Sequence, residues 1–160
     1  MNKPKKRQKI RLRYFLENND NDYVLDFAEV NAACFDIGCS EPFSILTGTM
    51  TLVKTGLYVR VPIGYVLEIY PRSGLAVKYG LTLINSPAQI DAGYQDEVKL
   101  IMTSTLRDHI GVRLNFSKGS VIAQAKLVRL IPTKLYPVES KEELFKDYPN
   151  RGGGLGSTGV

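Results

Sequence analysis

The stretch Thr49-Met50-Thr51-Leu52-Val53-Lys54-Thr55-Gly56-Leu57-Tyr58-Val59-Arg60-Val61-Pro62-Ile63-Gly64-Tyr65-Val66-Leu67-Glu68-Ile69-Tyr70 decides the fold. Val, Ile, Leu, Thr and Tyr crowd three short runs, Thr49 to Lys54, Leu57 to Val61 and Tyr65 to Tyr70, and the breaks fall at Thr55-Gly56 and Pro62-Ile63-Gly64. Branched and aromatic side chains fit a pleated surface, and Gly and Pro supply turn dihedrals, so the runs read as strands and the breaks as turns. The idiom extends both ways. Ile10, Leu12, Tyr14 and Leu16 alternate with Arg11, Arg13 and Phe15 at period two, and Ala32 to Ile37 follows. Downstream come Leu81 to Ile84, Val98 to Thr103, Val112 to Phe116 and Val121 to Ile131. Helical signals are two: Ser73 to Tyr79 closed by Gly80, and a capping box at Ser140-Lys141-Glu142-Glu143 before Pro149. The expectation is an all-β sandwich or jelly roll with at most one or two short helices.

A chain of 160 residues is one domain's worth. No apolar run approaches the ~18 residues of a membrane helix, and no uninterrupted apolar segment follows the basic start. Neither membrane insertion nor a signal peptide is expected, and the chain reads as cytoplasmic or otherwise intracellular. The net charge of +5 is unevenly spread, because Lys3, Lys5, Lys6, Arg7, Lys9, Arg11 and Arg13 are 7 of the 21 basic residues. Residues 14–160 hold the other 14 against all 16 acids, a net of −2, so nucleic acid is not an expected partner of the domain. Cys34 and Cys39 are the only cysteines and His109 the only histidine, which excludes a Cys/His zinc site within one chain and a disulfide framework. His109, in a polar stretch before Gly111, reads as a solvated loop residue. Any catalysis must therefore use carboxylates, hydroxyls, arginines and an oxygen-ligated metal.

Five segments carry candidate chemistry. The tail Arg151-Gly152-Gly153-Gly154-Leu155-Gly156-Ser157-Thr158-Gly159-Val160 has glycines that let N–H groups curl inward, plus an arginine and two hydroxyls, which suits a mobile clamp on a polyphosphate. It lacks the Gly-Lys-Ser/Thr ending of a P-loop. Pro71-Arg72-Ser73-Gly74-Leu75 ends a strand where Arg72 and Ser73 can meet an anion, although by itself it is an ordinary turn. In Asn85-Ser86-Pro87-Ala88-Gln89-Ile90-Asp91-Ala92-Gly93-Tyr94, Asn85 offers a donor and an acceptor suited to a pyrimidine edge, and Asp91 sits at a hairpin bend. Asp36 in Cys34-Phe35-Asp36-Ile37 and Gln124 in Gly119-Ser120-Val121-Ile122-Ala123-Gln124 are polar groups inside apolar strands, either satisfied core polars or ligand contacts.

The order Phe-Asp-Ile, Pro-Arg-Ser-Gly-Leu, Ile-Asp-Ala-Gly-Tyr, Ile-Ala-Gln and Arg-Gly-rich-Gly-Ser-Thr-Gly resembles the five ordered motifs of the trimeric deoxyuridine triphosphatases (dUTPases), over roughly residues 9–160. The resemblance implies a distorted jelly-roll barrel that forms a homotrimer with shared active sites and an exchanged C-terminal arm. It divides the chain into a basic flexible arm at 1–8, a β domain at 9–138 and a C-terminal arm at 139–160 that carries the glycine-rich phosphate-binding lid. It implies a dUTP diphosphatase that releases dUMP and pyrophosphate, keeping uracil out of DNA and supplying dUMP for dTTP synthesis. Asp91 would activate the water that attacks the α-phosphorus, and Ser73 would assist at the bridging or α-phosphate oxygens. Arg72, Gly74 and Gln124 would lie on the phosphates. Asn85 and Ile90 would line the uracil pocket, with Tyr94 under the deoxyribose. Arg151, Leu155, Gly156, Ser157 and Thr158 would close over the nucleotide. Mg²⁺ would bridge the triphosphate, with Asp36 acting on it through water.

Departures from the family pattern are Cys34 in place of a glycine, Val121 in place of an arginine, and Ala88 and Asp96 in place of two glycines. Leu155 stands where an aromatic normally stacks on uracil; it can cover a base but cannot stack as a ring does. Two rival readings share this fold: a dCTP deaminase-related enzyme, and a non-catalytic dUTPase-like regulatory or binding module.

Overall fold

The computed structural model describes residues 10–17, 25–27, 29, 31–106 and 111–150. Lys3 to Lys9, His109, Arg151, Leu155, Gly156, Ser157 and Thr158 lie outside the described residues. Ten strands and two helices run in the order β1 (Arg13–Leu16), β2 (Phe35–Gly38), β3 (Phe43–Leu46), β4 (Met50–Arg60), β5 (Tyr65–Pro71), α1 (Ser73–Tyr79), β6 (Leu81–Leu83), β7 (Ala88–Ile90), β8 (Val98–Ser104), β9 (Arg113–Phe116), β10 (Val121–Arg129) and α2 (Lys141–Leu144). They form two four-stranded sheets, β1-β4-β8-β6 and β2-β10-β5-β7, and a two-stranded ribbon, β3-β9. Every pairing is antiparallel. The all-β expectation holds, and no helix among the described residues is long and apolar enough to cross a membrane.

Alternation explains the layers. Along β8, Val98, Leu100, Met102 and Ser104 face inward and are buried while Lys99, Ile101 and Thr103 face out. Val53, Leu57 and Val59 of β4 join them, and from the other sheet Ile37, Leu67, Ile69, Ile122 and Ala125 complete one continuous core. Each large side chain buried there contributes ~1.5–3 kcal/mol of transfer free energy, offset in large part by lost chain entropy.

The structure corrects three readings of the sequence. Thr55-Gly56 is no turn: β4 runs through it, and the register against β8 slips between Lys54 and Leu57, a bulge that bends one long strand across the sheet. Gly56 carries it at φ +62°, with its carbonyl accepting from Glu17 N at 2.8 Å and its own N–H donating to Glu97 Oε1 at 2.9 Å. Phe43–Leu46, unassigned in the sequence, pairs with β9 through the stacked rings of Phe43 and Phe116, 4.8 Å between centroids. Ala88–Ile90, also unassigned in the sequence, is a short edge strand on β5 that ends just before Asp91. Both helices are where expected. Gly80 closes α1 in the left-handed region at φ +58°, and Ser140 Oγ accepts from Glu143 N at 3.0 Å to open α2.

After β10 the chain leaves the sheets. Residues 130–150 are exposed throughout, including the large apolar side chains Ile131 at 83%, Leu135 at 87% and Tyr136 at 71%.

Candidate active site

Strand register builds the first cleft. Gln124 of β10 lies opposite Asp36 of β2 on one side and Tyr70 of β5 on the other, so three segments remote in sequence meet on one rung. β5 then ends at Pro71 and the chain turns into α1, which places Arg72 as the cap residue and Ser73 in the first turn. The resulting cleft, about 350 Å³, is lined by Ala32, Ala33, Cys34, Asp36, Arg72, Ser73, Gly74, Leu75 and Gln124.

Its polar groups hold one another. Arg72 Nη1 donates to the Val121 carbonyl at 3.1 Å, and Arg72 Nε lies 3.6 Å from Asp36 Oδ1. Gln124 Nε2 donates to the Pro71 carbonyl at 2.9 Å, tying β10 to the residue before Arg72. Ser73 and Gly74 are exposed at the mouth. Val121, whose side chain replaces an expected arginine, thus contributes its backbone oxygen as the anchor of Arg72. Beside the cleft, Tyr70 donates its hydroxyl to Glu68 and sits under the Lys126 ammonium, 4.9 Å from the ring centroid. The Glu68 bond pushes the Tyr70 pKa up, and the Tyr70 bond does the same for Lys126. The thiols are free: Cys34 lines the cleft, while Cys39 is buried, donates to the Ser117 carbonyl at 3.1 Å, and has its pKa raised by burial.

The third segment lies elsewhere. Asn85 is exposed in the turn after β6, Ile90 ends β7 half-buried opposite Leu67, and Asp91 is exposed just beyond it. The Tyr94 N–H donates to the Asp91 carbonyl at 3.1 Å and its hydroxyl to the Glu97 carbonyl at 2.9 Å. Ala92, Tyr94 and Gln95 line a second cleft of about 520 Å³ whose other walls are Arg13, Tyr14, Phe15, Tyr58, Val59 and Arg60. Within one chain, then, Asp36, Arg72, Ser73, Gly74 and Gln124 share one cleft and Tyr94 another, and neither cleft is lined by Asn85, Ile90 or Asp91. The sequence did not single out Ala32, Ala33 or Leu75 as cleft-lining, nor Arg13 and Arg60; pairing of Arg13 with Arg60 across strands is what brings those two together.

An all-β scaffold that presents arginine, serine, carboxamide and carboxylate in one open cleft defines a class of anion-handling sites. Comparison makes the class specific. The family model described as dUTPase matches residues 24–159. The deoxyuridine 5'-triphosphate nucleotidohydrolase of Wolinella succinogenes is 36% identical over 154 residues, spanning 96% of each chain. That of Chlamydia pneumoniae is 32% identical over 153 residues, 91% of this chain and 97% of its own. The dUTPase of Staphylococcus bacteriophage 80alpha, solved with dUPNHPP, shares the fold at a TM-score of 0.77 and 24% identity, over 95% of this chain and all 100% of that one. The dUTPase of phage phi11 of S. aureus does so at a TM-score of 0.70 and 23% identity, over 83% and 99%. The chain belongs to the dUTPase family.

Proposed function

We propose that this chain hydrolyses dUTP to dUMP and pyrophosphate as a homotrimer whose active sites are each completed by more than one subunit. The observation that carries the reading is the convergence of Asp36, Arg72, Ser73 and Gln124 on one cleft by strand register, with Tyr94 of the third segment facing a different one. A family whose five motifs serve one substrate needs them together. A second copy supplies the missing half, and the exposed 130–150 segment, with Ile131, Leu135 and Tyr136 in solvent, is suited to reach it. The arm from 139 to 160 would carry the lid residues Arg151, Leu155, Gly156, Ser157 and Thr158 over the bound nucleotide.

In the reaction a water oxygen bonds to the α-phosphorus, the bond from that phosphorus to the bridging oxygen breaks, and pyrophosphate leaves. Asp91 takes the water's proton, and Ser73 donates to the oxygens that gain charge. Arg72, already oriented by the Val121 carbonyl, presents its remaining N–H groups to the phosphates. Asn85 and Ile90 read the uracil edge and Tyr94 excludes a ribose 2′-hydroxyl. Among the described residues no group of three His, Cys, Asp or Glu side chains could hold a metal. Asp36, whose carboxylate lines the cleft with Ser73, would hold Mg²⁺ through water, and such an ion would supply charge neutralisation on the triphosphate. A variant of the phage phi11 dUTPase coordinates a structural Mg(II) ion.

Pyrophosphate release from dUTP, dTTP, dCTP and UTP, with and without Mg²⁺, tests the reading alongside Asp91→Asn. The expected result is turnover of dUTP alone, lost in the variant. Ammonia release from dCTP would reassign the chain to deamination, and inertness toward all four nucleotides would reassign it to a binding module.

A further inference from the structure

The outer face of the β1–β4 pair carries two rungs that the dUTP reading does not use. In the register, Arg13 lies opposite Arg60 and Phe15 opposite Tyr58. Side chains two residues apart share a face, so two guanidinium groups stand next to two aromatic rings, about 7 Å further along the strand. Like charges placed directly opposite each other across a ladder repel. Neither arginine makes an ion pair among the described residues, and both are exposed. The aromatic rung is also open: Phe15 is 62% exposed, and its ring lies 6.0 Å from that of Tyr58. Both rungs wall the cleft of about 520 Å³ that Tyr94 also lines. β1 is an edge strand, entered at the arginine end, and the residues ahead of it are Lys3, Lys5, Lys6, Arg7, Lys9 and Arg11, with no acid before Glu17. At the other end Glu17 accepts from the Tyr58 hydroxyl at 3.3 Å and Glu97 and Asp96 lie near enough to act on it.

We propose that this face binds single-stranded polynucleotide, with Arg13 and Arg60 on the phosphodiester backbone and Phe15 and Tyr58 stacked against bases. Unpaired cations beside exposed aromatic rings form the pattern that binds single strands without sequence preference. A duplex offers no free base faces, and the described helices are too short to enter a groove. The charge of −2 over residues 14–160, which argued against nucleic acid, is an average, while the patch is local and follows a basic run in the sequence.

Fluorescence anisotropy on the full chain tests this, using labelled 20-nucleotide oligothymidylate, oligouridylate and a 20-base-pair duplex over a range of salt concentrations. Both single strands should bind better than the duplex, and the DNA and RNA arms show which sugar is preferred. The double variant Arg13→Gln/Arg60→Gln gives up two phosphate contacts. Its log–log salt slope should be shallower by about 1.4, and its affinity about 25-fold lower at 0.1 M salt. Phe15→Ala should weaken binding about fivefold or more at an unchanged slope. Thermal melts establish that the variants fold. Absence of oligonucleotide binding at 50 mM salt, parental slope in the arginine double variant, or preference for duplex would each overturn the assignment.

Discussion

Replacing Arg72 by Met keeps much of the side chain's bulk and removes two interactions at once. The bond from Nη1 to the Val121 carbonyl is charge-assisted, a type that contributes ~1.5–3 kcal/mol when buried. Arg72 is 37% exposed, so about 1 kcal/mol of that survives solvent screening. The pair with Asp36, at 3.6 Å and with the carboxylate 25% exposed, adds ~0.2–1 kcal/mol. Together they predict a loss of about 1.5 kcal/mol, which for a chain of this size lowers Tm by roughly 3–6 °C. A double-mutant cycle with Asp36→Asn separates the parts. The coupling should be about 0.5 kcal/mol and shrink as salt rises, whereas the bond to the neutral carbonyl should persist. Arg72→Lys should restore the coupling but little of the carbonyl bond, because an ammonium has no planar fork to serve two acceptors. Hydrolysis of dUTP by Arg72→Met should fall at least about tenfold, the kinetic equivalent of one charged hydrogen bond. An Arg72→Met protein that melts with the parent, or a cycle with no coupling at low salt, would refute the claim that this side chain braces the cleft.

Other positions give simpler tests. Gly56→Ala should cost about 2–4 kcal/mol in chemical denaturation, because a β-carbon in the left-handed region is strained and here would sit 2.9 Å from the Glu17 carbonyl oxygen; a loss under 1 kcal/mol would mean that the bulge relaxes freely. Leu155→Phe should lower the KM for dUTP by about two- to tenfold, the value of a ring stacked on a base, and an unchanged catalytic efficiency would refute the reading that Leu155 covers the base less well than a ring. Deleting residues 2–8 should leave dUTP hydrolysis near normal, as measured by pyrophosphate release.

What the sequence makes legible is what short-range physics controls. Alternation marked most of the strands, and the two helices were announced by their caps, Gly80 and Ser140. The misreadings share a cause. Thr55-Gly56 has turn composition, yet its neighbours pair with β8 on both sides of a bulge, and only the partner strand shows that the chain continues. Phe43–Leu46 gains its strand character from Phe116, and Ala88–Ile90 from β5; neither partner is adjacent in sequence.

The candidate site divides along the same line. Five ordered motifs are legible in the linear text, but which of them meet within one chain depends on register. Gln124 stands between Asp36 and Tyr70 because β10 is central in its sheet, whereas the chain after β7 carries Tyr94 to the cleft beside β1 and β4. Arg13 and Arg60 make the point most sharply. Each looks like a solvated surface cation in the sequence, and only the β1–β4 ladder sets them opposite each other without an acid between them. Two like charges held in register are a standing electrostatic cost unless an anion arrives, whereas Arg72, equally cationic in the sequence, is already satisfied by Asp36 and the Val121 carbonyl. Net charge cannot distinguish those two situations, and pairing geometry can.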